Sequence, residues 1–137
     1  QDCEEGLAMF SLEHFLTLNH KEQQWYWITT CRDALLKQGK RSTDGHICLY
    51  KDNEGNKCAV GHLIPDSLYT PEVEVGNIYD VISESYKRGS PLKKLKYLFP
   101  HKHLLGLLQD THDYIDPQKW GEAFEDNFSQ YNPSYKG

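Results

Sequence analysis

The chain is poor in the signals that would name a function outright. No apolar run approaches the ~20 residues that a membrane helix needs, and no low-complexity tract suggests global disorder. There is no P-loop, no dinucleotide glycine fingerprint and no G-x-S-x-G elbow, so the motif routes to phosphoryl, hydride and serine acyl chemistry are absent. Cysteine is scarce, with four residues in no framework-like spacing. A chain of 137 residues buries about two-thirds of its unfolded surface without bridges or metal. Reduced thiols and a cytoplasmic setting are therefore expected, although a chain that starts at Gln1 leaves room for a removed leader. Positive charge is also short: 15 Lys+Arg against 20 Asp+Glu, a net −5. That balance gives no general electrostatic hold on nucleic acid. The two basic runs, "LLKQGKR" and "YKRGSPLKKLKY", read as solvated faces. Neither a membrane nor a nucleic-acid partner is expected.

What is present is helical punctuation. Asn19 and Glu22 have capping-box spacing, Trp25, Ile28 and Leu35 recur on one face, and Gly39 stands where a C-cap glycine would; the helix is placed at about 20–38. Asn77 opens a second helix, with Ile78, Val81, Ile82 and Tyr86 on one side and Gly89 at its end. Ser90-Pro91 opens a third, with an apolar stripe of Leu92, Leu95, Leu98 and Phe99, stopped by Pro100. "HKHLLGLLQDTHDY" is a fourth, with Leu104, Leu105, Leu108 and Ile115 inward. Asp116-Pro117 precedes a last helix with Trp120, Phe124 and Phe128 at four-residue steps. Residues 1–18 read as an N-terminal extension with weak helical character, and 132–137 as a frayed tail of a single domain spanning 1–137.

The stretch "HICLYKDNEGNKCAVGH", from His46 to His62, reads differently. Two short β-favouring runs flank "DNEG", and Gly55 suits the left-handed residue of a three-residue loop. Asp52 then faces Asn56, Tyr50 faces Cys58, Cys48 faces Val60 and His46 faces His62, with Tyr50, Cys58, Cys48, Val60, His46 and His62 on one side. The expected fold class is α+β: one small β-hairpin packed against about four to five helices.

The segment Cys48, Tyr50, Gly55, Lys57–Gly61, Leu63–Asp66, Pro71-Glu72 resembles an uncharacterised group of small phage and prophage proteins that share a C-x-Y strand, a glycine turn and KCAVGxLIPD. The resemblance extends to "LLKQGKRS" and "LLQDTHD…W" and covers about two-thirds of the chain. It implies a phage or prophage origin and the cytoplasm of an infected bacterium; it supplies no activity, ligand or catalytic residue.

Three residue sets carry candidate chemistry. His46, Cys48, Cys58 and His62 are ligand types that zinc takes. Their spacing is not the knuckle pattern, however, and free cysteine packs as a small hydrophobe, so the favoured reading is an apolar hairpin face and no cofactor. His112, Asp110 and Asp113, near His101 and His103, are what a metal-dependent hydrolase would draw on; His112 follows Leu108 by four, which favours a satisfied core histidine. Trp25, Tyr26 and Trp27 place rings on more than one helix face, either as a partner surface or as wedges beneath the N-terminal segment. The leading expectation is a phage-type accessory protein, not an enzyme, that binds a host or phage protein. The alternatives are a small metal-dependent hydrolase and a protein that sequesters a nucleotide or other small ligand.

Overall fold

The structure, a computed structural model, describes residues 9–136. Residues 1–8 of the expected extension, the position where a leader would join, and Gly137 of the tail lie outside it. Five α-helices order the described residues: α1 Leu12–Phe15, α2 His20–Gln38, α3 Ile78–Ser85, α4 Lys102–Tyr114 and α5 Trp120–Phe128. Short 3-10 turns connect them, and there is no β-strand among the described residues.

The long helix begins and ends where its punctuation puts it. The Asn19 side chain accepts the Glu22 N–H at 2.8 Å while Glu22 accepts the Asn19 N–H at 3.0 Å. Gly39 closes it at φ 74°, its N–H donating to Leu35 O. Asn77 and Asp80 repeat the same reciprocal cap on α3. Each such cap satisfies N–H groups that a helix start otherwise leaves open.

The segment expected as the third helix is not α-helical: Pro91 and Leu92 form a turn, and the winding that follows runs through Pro100 instead of stopping there. Lys93–His101 winds as a 3-10 helix, and Leu92, Leu95, Leu98 and His101 are buried at strict three-residue intervals. Three residues per turn puts those four side chains on one face, which an α-helix would spread apart. The segment packs on α3 and α4. The Trp120–Phe124–Phe128 stripe of α5 is buried against α2 and α4, and the Trp120 Nε1–H donates to the carbonyls of Thr111 and Ile115. Trp27 stacks on Phe15 at 4.8 Å between centroids. Full burial of each such side chain contributes roughly 1.5–3 kcal/mol.

The β-hairpin does not form, and the fold is all-α where α+β was expected. The turn residues do bond locally: the Asp52 N–H donates to Asn56 O, Cys58 N–H to Tyr50 O, and Gly55 sits at φ 87°. Pairing then stops. Ala59 takes helical angles, and Val60–Leu63 coils into a 3-10 turn with His62 N–H donating to Cys58 O. Cys48 faces Thr43 across an isolated bridge rather than Val60. The cause is lateral: Gly61 passes so close under Tyr50 that a Cβ there would lie 2.1 Å from the Tyr50 carbonyl oxygen. The second run therefore turns beneath the first instead of running beside it. A lone two-stranded ribbon has little stability of its own to resist this.

Candidate functional site

The four residues considered as zinc ligands are separated. His46 is exposed, Cys58 is buried and accepts the Gly61 N–H, and His62 turns toward α2 to meet Gln38 at 2.9 Å. Cys48 alone joins another cluster, and it does so with two residues of the histidine–aspartate set. Ligating atoms of Cys48, His112 and Asp113 lie within 4.8 Å of one another. Asp110 stays on the outer face of α4, exposed.

The donors and acceptors of this trio are already matched. His112 is fully buried, and its Nε2 accepts the Ser42 N–H at 3.0 Å. A nitrogen that accepts a backbone N–H carries no hydrogen, so the ring hydrogen sits on Nδ1 and is donated to Asp113 at 2.7 Å. Asp113 also accepts from Gln109 Nε2 at 2.9 Å, and the Cys48 thiol hydrogen-bonds to it. Burial, and then the Asp113 carboxylate, raise the Cys48 thiol to about 11. Burial pushes the Cys58 and Cys31 thiols up as well. These are protonated sulfurs at neutral pH, not nucleophiles. A metal on His112 would need a lone pair that Ser42 already occupies or a proton moved against that N–H, so the trio does not fit a metal centre. It instead ties the 40–50 loop to α4. Arg41 adds to this tie by donating to His112 O at 2.9 Å and Ile115 O at 2.7 Å, which satisfies the open carbonyls at the end of α4.

The aromatic triplet is packed. Trp27 is fully buried; Trp25 and Tyr26 are half-buried against the core. The Tyr26 ring stacks on Phe10 at 5.6 Å and its hydroxyl accepts the Ser11 N–H at 2.8 Å. The Tyr26 and Trp27 rings sit between the N-terminal residues and the core.

A different set of residues lines a groove of about 520 Å³ between the C-terminal half of α2, the 51–57 turn and the 62–66 segment. Its lining includes the apolar Phe10, Ala34, Ile64 and Pro65 and three cations, Lys37, Lys51 and Lys57. Lys57 and Lys51 reach the same carboxylate, Asp66, at 2.8 and 3.8 Å. That pairing holds the Asp66 carboxyl below its ordinary range. The floor is fixed by Gln38. Its Oε1 accepts the Lys57 N–H and the His62 Nε2–H, and its Nε2 donates to the Lys40 and Lys57 carbonyls. Burial, and then the Lys57 charge, lower the His62 imidazole to about 4, so the ring stays neutral at pH 7. Reading by motif missed these residues, because no lysine of the groove belongs to a recognisable chemical pattern. The one available signal was that Lys57 and Ile64–Asp66 fall inside the KCAVGxLIPD stretch.

No family model, no curated protein and no solved structure matches this chain. Among the described residues, no helix is long and apolar enough to cross a membrane.

Proposed function

We propose that the protein acts by binding, and that its groove takes a small ligand with an anionic group and a flat apolar body, of which a mononucleotide is the type. One observation carries this reading: the Lys51 and Lys57 ammonium groups converge on a single carboxylate, Asp66, in a groove lined also by Phe10, Ala34, Ile64 and Pro65. Two cations sharing one anion leave positive charge for a phosphate, and the apolar residues suit a base. The volume lies within the range of small-molecule sites. The internally matched Cys48–His112–Asp113 trio supports binding over hydrolysis. The resemblance to phage and prophage proteins supports a setting in the cytoplasm of an infected bacterium, where sequestering a nucleotide would be an accessory task.

A second reading, binding of a host or phage protein, is favoured by the exposed Ile47, Tyr79, Leu107 and Tyr114, of which Tyr114 is 78% exposed. Thermal-shift measurement with ribo- and deoxyribonucleoside mono- and triphosphates tests the first reading. A ligand at 100 times its Kd adds about 2.7 kcal/mol, so a clear rise in Tm is expected, lost in Lys51→Gln/Lys57→Gln. No rise with any nucleotide at millimolar concentration would contradict it and leave the protein-binding reading.

A further inference from the structure

The net negative charge hides a strong segregation. From Ser85 to Gln109 there are six Lys+Arg and no Asp or Glu, so the acidic excess lies in the rest of the chain. The fold brings this segment to the surface around two aromatic rings. Tyr86, at the C-terminal end of α3, is 54% exposed, and Phe99, in the 3-10 segment, is 43% exposed. Their rings meet edge to face at 5.8 Å. Lys96 Nζ stands 5.1 Å over the Tyr86 ring and Lys102 Nζ 4.6 Å over the Phe99 ring. Arg88, Lys93, Lys94 and Lys96 are exposed, and none has a carboxylate partner among the described residues; only Lys87 is paired, with Glu84 at 2.6 Å.

We propose that this face binds single-stranded nucleic acid, with phosphates on Arg88 and the lysines and bases stacked on Tyr86 and Phe99. Uncompensated like charges repel, and half-exposed rings leave apolar area in water; a polyanion with flat apolar faces relieves both at once. An anionic membrane suits the face less well. The other apolar side chains of the segment, Leu92, Leu95 and Leu98, are buried, so only the two rings remain to insert. At physiological salt the Debye length is about 8 Å, so the patch acts by its own charge rather than by the net −5. The face is separate from the lysine groove and does not depend on the reading given to it.

Fluorescence anisotropy with labelled dT20 and rU20, on the full chain, tests this. Binding is expected to weaken with salt at a log–log slope of about −0.7 per phosphate engaged, roughly −3 if four cations take part. Tyr86→Ala/Phe99→Ala should lower affinity about tenfold with the slope unchanged. Lys93→Gln/Lys94→Gln/Lys96→Gln should flatten the slope, and Lys51→Gln/Lys57→Gln should change neither. Should the alanine pair melt early, Tyr86→Leu/Phe99→Leu keeps the apolar area while removing the stacking faces. No anisotropy change at about 100 µM protein in 50 mM salt would overturn the proposal. So would oligonucleotide binding that ignores the rings or follows the groove lysines, or binding to phosphatidylserine vesicles without binding to either oligonucleotide.

Discussion

Gly61 shows how much one absent side chain decides. A Cβ at this position would meet the Tyr50 carbonyl oxygen at 2.1 Å; that oxygen is backbone and the Cβ has no rotamer, so neither can swing aside. Gly55 differs: its φ is 87°, yet a Cβ there would point into open space. Gly61→Ala is therefore expected to lower stability by about 3 kcal/mol or more, and Gly55→Ala by only about 1–2. Urea midpoints at fixed m compare them, and equal losses would mean the close approach is not what bends the chain. His112 makes a second case at this scale. His112→Phe leaves the Ser42 N–H without its acceptor, at roughly 1–3 kcal/mol, and takes one hydrogen bond from Asp113, which keeps Gln109 Nε2. Because the ring's lone pair is already taken, zinc in slight excess should leave the Tm of the wild type unchanged; a rise with one equivalent would show that the trio rearranges to take metal.

At the level of elements, α2 rests on its caps, which local chemistry specifies. Asn19→Ala and Asn77→Ala should each cost about 1 kcal/mol, read from thermal or urea melts, since each removes the side-chain oxygen that accepts the Glu22 or Asp80 N–H. The same locality explains what could be read from the chain. Asn19, Glu22 and Gly39 bound α2 because capping needs only neighbours in sequence, and Trp120, Phe124 and Phe128 share a stripe because four-residue steps lie on one helix face. Leu92, Leu95 and Leu98 were legible as buried, but the helix type was not, since a three-residue interval suits both windings over a short run. The hairpin failed because its turn is local but its continuation is not. Asp52 and Gly55 formed the bend, while the close passage of Gly61 under Tyr50 decided where the chain went next. The candidate site was less legible still. Spacing in sequence groups Cys48 with its near neighbours and His112 with its own, whereas Ser42 and His112 bond across 70 positions. Nor did any pattern in the chain announce that Lys51 and Lys57 would share Asp66.

For the molecule as a whole, His62 and His101 set the acid limb of stability. Burial lowers both His62 and His101 to about 4, from an ordinary value of 6.5. Below pH 6.5 the unfolded chain binds protons that the folded one refuses, so stability falls as pH drops and is fully present only above that range. Each histidine adds a slope of about 1.4 kcal/mol per pH unit between 6.5 and 4. At the other end, burial raises Cys31 and Cys58 above 9.0, so stability declines once unfolded thiols ionise. Urea midpoints should form a plateau between about pH 7 and 8.5, and a midpoint at pH 5 equal to that at pH 7 would contradict the neutral imidazoles. The assembled picture is a helical shell whose reactive side chains are spent on holding it together and whose surplus cations gather at its surface. A ¹⁵N-HSQC titration with a nucleoside monophosphate tests its main functional claim most directly. The account predicts saturable amide shifts centred on Gly55, Lys57, His62 and Asp66, with Cys48 and His112 still; shifts that miss these residues, or none at millimolar nucleotide, would contradict it.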